Sequence, residues 1–93
     1  DNKVQIVPFE IMLYPNPGTT QEVTLSTNGG SGLKEIRIFN SSGQLVGTHN
    51  ALELRTGNTI YVLPITNLQS GVYHLNILTE DGATYFKQLM VKK

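Results

Sequence analysis

Cysteine and tryptophan are absent from this 93-residue chain, and charged residues make up only 15% of it. Without cysteine, the chain has no disulfide framework, no thiolate zinc site and no cysteine nucleophile. Seven lysine or arginine residues balance seven aspartate or glutamate residues. This balance leaves no excess of positive charge to attract nucleic acid or an anionic membrane, so neither is expected as a partner.

Long apolar runs are also missing. No segment approaches the roughly 20 apolar residues that cross a bilayer, and the amino end has no signal-peptide pattern. The chain begins at Asp1 without a methionine, so we expect a processed product or a piece of a longer protein. Its length suits one domain with a single core.

The predicted secondary structure is all β. Tyr73, Leu75 and Ile77 alternate with His74 and Asn76, and this period of two is typical of a strand with one buried and one wet face. Similar patterns, separated by turn signals, predict strands at 10–14, 21–27, 33–40, 44–48, 51–55, 59–65, 71–80 and 83–92. Such an arrangement predicts an immunoglobulin-like antiparallel β-sandwich of seven to eight short strands.

Four predicted strands need separate comment. In segment 51–55, the alternation of Leu52 and Leu54 with charged residues predicts an inner face for both leucines. Segments 10–14, 59–65 and 83–92 are instead apolar at both parities. Such strands are covered on both faces, lie near a terminus or contact a partner. The sequence does not choose among these alternatives.

Glycine and proline mark the predicted turns. Ser42-Gly43 and Asp81-Gly82 lie between strand patterns, and glycine there supplies the positive φ that a tight hairpin turn requires. Pro15-Asn16-Pro17 fixes two φ angles and removes two backbone donors. The first strand is therefore expected to stop or to change sheets after Tyr14.

A glycine-bearing corner precedes the penultimate predicted strand. Leu68, Gly71 and Tyr73 have the spacing of the tyrosine corner of immunoglobulin-like Greek keys. The hydroxyl of Tyr73 is expected to bond back to the backbone a few residues upstream. This side chain is therefore predicted to have a structural role.

The sequence contains no pattern of catalytic or metal-binding residues. His49 and His74 are far apart, and no paired carboxylates or second histidine at ligand spacing accompany either one. Glu80-Asp81-Gly82 lacks the alternating ligands of a calcium loop, and Ser41-Ser42-Gly43 lacks the nucleophile elbow of hydrolases. We therefore expect no enzyme activity, no catalytic residue, no metal site and no cofactor.

The carboxyl end carries an apolar strand that closes with Lys92 and Lys93. In an ordinary last strand, lysines protect the sheet edge against aggregation. In a recognition strand, the edge and the terminus are presented to a receptor by β-augmentation. The residues allow both interpretations.

Taken together, a series of short motifs is distributed along the chain from Leu13 to Lys93. They are Leu13-Tyr14-Pro15-Asn16-Pro17, Ile36-Arg37-Ile38-Phe39-Asn40, Gly43-Gln44-Leu45-Val46, Leu68-x-x-Gly71-x-Tyr73 and Lys87-Gln88-Leu89-Met90-Val91-Lys92-Lys93. In order, spacing and terminal placement they resemble the C-terminal sorting domain of the type IX (Por) secretion system of Bacteroidetes. Two departures are Gln44, where that family often has a basic residue, and residues 47–59, which match no motif.

The resemblance implies that the chain is a C-terminal sorting signal. It would direct a cargo protein through the periplasm and across the outer membrane to the cell surface or the extracellular space. The implied partners are the type IX translocon, a surface protease of the sortase type and a preceding cargo domain. Residues 10–93 would form the sorting domain, with residues 1–9 a linker or first strand, and scission would fall within or before that segment. Dimerisation through the terminal strand remains open.

The resemblance also assigns roles to residues. The expected fold-determining residues are Pro15, Asn16, Pro17, Gly43, Leu68, Gly71 and Tyr73. The residues expected to face the receptor are Lys87, Gln88, Leu89, Met90, Val91, Lys92 and Lys93.

Two other functions compete with sorting. A carbohydrate-binding or adhesive immunoglobulin-like module of a secreted enzyme would need an exposed aromatic patch or a convergent polar cleft. The aromatic residues that could form such a patch are Tyr14, Phe39, Tyr61, Tyr85 and Phe86, although aromatic residues more often pack in the core. An inert spacer domain could use the same fold.

Overall fold

The structure is a computed structural model, and it describes residues 9–15 and 21–93. Within these residues the strands are β1 (Ile11–Tyr14), β2 (Glu22–Thr27), β3 (Leu33–Asn40), β4 (Leu45–Asn50), β5 (Ile60–Pro64), β6 (Gly71–Thr79) and β7 (Thr84–Val91). One short helix, α1 (Ala51–Leu54), follows β4. The predicted fold-determining residues Asn16 and Pro17 lie outside the described residues, as do residues 1–8.

The strands form two antiparallel sheets. The smaller sheet has the order β1-β2-β5, and the larger has the order β4-β3-β6-β7. The chain passes from one sheet to the other after β2, after β4 through α1, and again after β5. The predicted all-β, immunoglobulin-like sandwich is therefore confirmed, with seven strands in the described part of the chain.

The core lies between the two sheets and consists of the inner side chains of almost every strand. Burial follows the period of two that the sequence shows, because successive side chains of a strand point to opposite faces. Each such aliphatic side chain contributes about 1.5–3 kcal/mol relative to an exposed one. The fully buried members include Val23, Leu25, Ile36, Ile38, Leu63, Leu75, Ile77 and Leu89.

Two hairpins in the larger sheet are built in the same way. The N–H group of Gly43 donates to the carbonyl oxygen of Asn40 at 3.0 Å, and that of Gly82 donates to Thr79 at 3.1 Å. Both glycines have positive φ, at 86° and 93°, which favours glycine because it has no Cβ. The predicted hairpin turns at Ser42-Gly43 and Asp81-Gly82 are confirmed.

The strand predicted at 51–55 is wrong, because four of these residues form α1 (Ala51–Leu54). The side chain of Asn50 accepts a hydrogen bond from the N–H group of Leu52 at 3.0 Å and so caps the helix. Ala51 is buried and Leu54 is partly buried against the core, whereas Leu52 is 63% exposed. Helical spacing, and not alternation, decides which apolar residue of this segment faces inward.

The strands that are apolar at both parities lie at sheet edges. β1 and β5 flank the smaller sheet, and β7 ends the larger one. In the described part of the chain no third layer covers them, so apolar outer side chains of β1 and β7 remain exposed. These are Met12, Tyr14, Phe86 and Met90.

Candidate functional site

The last strand is the candidate recognition site, and β7 is joined to the sheet along one side. It pairs with β6 from Leu78 opposite Thr84 to Gly71 opposite Val91. On the other side of β7, no further strand among residues 9–15 and 21–93 pairs with it. The hairpin therefore holds this strand in a fixed register at an edge.

The inner parity of β7 belongs to the core. Leu89 is fully buried and Val91 is 2% exposed. Both were predicted to face a receptor, but in the folded domain their side chains pack between the sheets. Lys87 has the same parity and is exposed, and Tyr85 is partly buried near the start of the strand.

The outer parity of β7 faces away from the core. Phe86, Gln88 and Met90 follow one another on this side, and Lys92 continues their parity directly after the strand. We call these four residues the outer stripe. Phe86 is 71% exposed and Met90 is 43% exposed. Since same-side residues of a strand are about 6.6 Å apart, the stripe is about 20 Å long.

Lys93 is exposed, but its ammonium group is bound to backbone carbonyl groups of the domain itself. Its ammonium group donates to the carbonyl oxygens of Ile65 at 2.9 Å and Thr66 at 3.0 Å. Its N–H group donates to the hydroxyl of Ser70 at 2.9 Å. The predicted receptor-facing Lys93 is therefore bound to loop 65–70, which connects β5 of one sheet to β6 of the other.

The same loop carries the tyrosine corner. The hydroxyl of Tyr73 donates to the carbonyl oxygen of Gln69 at 2.7 Å, four residues upstream. Leu68 is buried, and its N–H group donates to the carbonyl oxygen of Ile65 at 3.1 Å. Loop 65–70 is thus held by Tyr73 on one side and by Lys93 on the other.

Gly71 and Pro15 are the other predicted fold-determining residues in the described ranges. Gly71 begins β6, and a Cβ atom there would lie 3.9 Å from the ring of Tyr73, an ordinary contact. Pro15 follows the end of β1, after a cis peptide bond from Tyr14. The roles of both residues in determining the fold stay predictions.

One buried hydrogen bond between the sheets was not predicted from the sequence. The hydroxyl of Tyr61 on β5 accepts the N–H group of Leu33 on β3 at 3.0 Å. Tyr61 is 1% exposed. The sequence signal was limited to an aromatic residue on an apolar strand, because the partner lies 28 residues away.

The five candidate aromatic residues do not form one patch. Tyr61 is buried, and Phe39 and Tyr85 are partly buried; the ring of Tyr85 lies 5.1 Å from that of Phe9. Tyr14 and Phe86 are exposed. They lie on different sheets, each on the outer face, so the described residues present no shared aromatic platform for a sugar.

A shallow depression lies beside β3 and β4, and α1, β6 and the turn after β6 also border it. Its polar lining includes Lys34, Glu35, Asn50 and Glu80, and no aromatic ring contributes. Among the described residues, no group of three histidine, aspartate or glutamate side chains converges as a metal site would require. No helix in the described ranges is long and apolar enough to span a membrane.

One carboxylate has a perturbed pKa, and it lies in the turn before β7. The hydroxyl of Thr79 donates to Asp81 and, with the N–H group of Ala83 at 3.4 Å, holds the pKa of that carboxyl below its ordinary value of 3.8. Asp81 is exposed, so its charge is solvated. This arrangement stabilises a turn and assembles no acid–base pair.

Comparisons with known proteins agree with the geometry. The family model described as "Secretion system C-terminal sorting domain" matches residues 12–92. A crystal structure of CopC from Methylosinus trichosporium OB3b is similar at a TM-score of 0.53 and 20% identity, over 89% of this chain and 94% of that chain. At this identity the likeness shows the fold alone. No curated protein sequence matches.

Proposed function

Because the chain belongs to the family of secretion-system C-terminal sorting domains, we propose that it is a sorting signal that is removed from its cargo protein. Membership makes the chain a sorting signal for type IX secretion. It implies a preceding cargo domain and export across the outer membrane to the cell surface or extracellular space. The family is not a catalytic one. The match over residues 12–92 is the observation that carries this conclusion.

The proposed route has three steps. An amino-terminal signal takes the precursor across the inner membrane into the periplasm, and the type IX translocon then recognises the folded domain. At the cell surface, a protease of the sortase type removes it.

The packing of the domain favours scission upstream of Phe9. Phe9 packs against the core beside Tyr85, and Ile11 is 1% exposed. A protease needs an extended, accessible backbone, which the packed segment does not offer. Scission before residue 9 would leave the proposed domain, residues 10–93, intact.

We place recognition on the exposed members of the predicted segment, which are Lys87, Gln88, Met90 and Lys92. Leu89 and Val91 contribute through the core, since they anchor the strand that carries those side chains. A receptor can contact the exposed members without unfolding the sandwich. A folded, fixed strand also limits the entropy lost on binding.

A secretion assay tests the proposal. Residues 1–93 are fused behind a fluorescent cargo that carries an inner-membrane export signal, and the fusion is expressed in a type IX-competent bacterium. The β7 variant combines Lys87→Ser, Met90→Ser and Lys92→Ser. The control for three exposed serine substitutions combines Leu45→Ser, Val46→Ser and Thr48→Ser on β4, the opposite edge of the same sheet.

We expect the parent and the β4 control to be exported and the β7 variant to remain in the periplasm. A parent fusion that stays in the periplasm would contradict the sorting function. Export of the β7 variant at the parental rate would contradict recognition through the last strand.

Mass spectrometry of the released cargo tests removal. We expect a new carboxyl end before residue 9 and no peptides from residues 10–93. Released cargo that retains the domain would contradict scission.

A further inference from the structure

The lysines near the end of the chain occupy three different environments. The ammonium group of Lys93 is bound to two carbonyl oxygens of loop 65–70. Lys87 has the inner parity of β7, and Lys92 has the outer parity. Lys92 is therefore the lysine that lies in line with the exposed Phe86 and Met90.

The outer stripe is unusually apolar for a wet strand face. The outer side of an antiparallel sheet normally carries polar side chains, and β2 follows this rule with Glu22, Thr24 and Ser26. The outer side of β7 instead presents Phe86 and Met90. An exposed phenylalanine on an edge strand favours aggregation unless a partner covers it.

The neighbouring strand extends this apolar surface. Val72 on β6 lies directly opposite Met90 and is partly buried. His74 and Asn76 lie opposite Gln88 and Phe86. The surface next to the stripe is thus apolar at one end and neutral or polar along its length, without a carboxylate.

The charged side chains of the last ten residues have one sign. Residues 84–93 contain three lysines and no acidic residue. Within the described ranges, neither Lys87 nor Lys92 forms an ion pair, since the salt bridge found there joins Arg37 to Glu35. A partner that covers the stripe would gain from carboxylates placed near Lys92, because complementary charge raises the association rate and rejects wrong partners.

We propose that the translocon receptor reads the outer stripe through an apolar groove, which takes Phe86 and Met90, and through carboxylates beside Lys92. This inference rests on the proposed function and specifies the chemistry of the receptor surface. The contact length is about 20 Å, or one strand of about six residues. Phe86, at one end of the stripe, is the main anchor because aromatic residues dominate interface energetics.

The test measures the initial export rate of the fluorescent fusion for single variants. Phe86→Ser should lower the rate at least about tenfold, as expected for the loss of an aromatic anchor. Lys92→Glu should lower it more than Lys92→Gln, because the glutamate repels the receptor carboxylates. Lys92→Glu should also have a larger effect than Lys87→Glu, whose side chain has the other parity.

Two controls match these changes in charge and polarity. Lys34→Glu reverses an exposed charge on β3, and Leu45→Ser removes an exposed apolar side chain on β4. Both should be exported within about twofold of the parental rate, as interface-remote surface changes are. Thermal unfolding of each purified domain verifies that the variants fold.

Several outcomes would overturn the inference while the parent is exported. These are normal export of Phe86→Ser, equal effects of Lys87→Glu and Lys92→Glu, and equal effects of Lys92→Gln and Lys92→Glu. A domain that elutes as a dimer and becomes a monomer on Phe86→Ser would assign the stripe to a second copy. If the parent itself is not exported, the proposed function fails as well.

Discussion

At the scale of single residues, two tyrosine hydroxyls make structural hydrogen bonds, but their loss leaves different groups behind. Tyr73→Phe removes the hydroxyl that donates to the carbonyl oxygen of Gln69 in a partly buried loop, so we expect a loss of about 1 kcal/mol in the free energy of unfolding. Tyr61→Phe leaves the buried N–H group of Leu33 without a partner. A buried donor without a partner costs more, so we expect a loss of about 2 kcal/mol in the free energy of unfolding. Denaturant unfolding of residues 1–93 measures both.

Tyr85→Phe is the control for this comparison, because the described residues offer its hydroxyl no hydrogen bond while its ring packs against Phe9. It should change the free energy of unfolding by less than about 0.5 kcal/mol. An unchanged denaturant midpoint for Tyr73→Phe would remove the structural role of the tyrosine corner.

Asp81 predicts a pH dependence of stability. Its pKa in the folded state is lowered, first by the Thr79 hydroxyl and then by the Ala83 N–H group. Its contribution is therefore present above the unfolded-state pKa and is lost as the pH falls through the folded-state value. Asp81→Asn should have a lower melting temperature than the parent near neutral pH, and the gap should narrow as the pH falls below the ordinary carboxyl value of 3.8.

Thr79→Ser, which keeps the hydroxyl donor, serves as the control and should retain the parental pH dependence. Thr79→Val should reduce it. A gap between Asp81→Asn and the parent that is constant from neutral to acid pH would show that the carboxylate charge is not what the turn requires.

At the scale of secondary-structure elements, the β3–β4 hairpin requires a left-handed backbone conformation at Gly43. A Cβ atom at Gly43 would meet nothing within 4 Å, but its φ is +86°. The cost of Gly43→Ala is thus backbone strain, about 1 kcal/mol in the free energy of unfolding. Gly47→Ala, on the adjacent strand, should cost less, since its Cβ would lie 3.5 Å from Ile38 in ordinary contact. Equal costs would contradict this account.

Local patterns account for most of the elements that could be predicted from the sequence. Alternation, short apolar runs and turn signals are encoded within a few residues, and they predicted the seven strands and both hairpins. Segment 51–55 shows the limit, because Leu52 and Leu54 fit a strand by alternation. The cap by Asn50 and the contact of Ala51 with the core instead favour a helical turn.

The candidate site was predicted less well, for a physical reason. Segment 83–92 is apolar at both parities, so the sequence did not separate the buried Leu89 from the exposed Met90. The separation depends on which face the other sheet covers. The hydrogen bonds of Lys93 reach residues 27 and 28 positions away in the sequence, and no local pattern encodes such a contact.

At the scale of the whole molecule, β7 carries both the proposed recognition residues and part of the core. Deleting residues 87–93 removes Leu89 and Val91 from between the sheets, each contributing about 1.5–3 kcal/mol. It also removes most of the pairing with β6. Since a domain of this size has a total stability of about 5–10 kcal/mol, we expect the deletion to abolish the cooperative thermal transition.

Deleting only residues 92–93 separates the two roles. It leaves Leu89 and Val91 in place and removes the bonds from Lys93 to loop 65–70, so the transition should persist with a loss of about 1–2 kcal/mol. Circular dichroism of both truncations during heating measures this. If the longer truncation unfolds, its failure in a secretion assay says nothing about recognition, and only substitutions on the outer stripe test what a receptor reads. If it melts cooperatively like the parent, β7 is dispensable for the core, and the burial of Leu89 and Val91 does not anchor the strand.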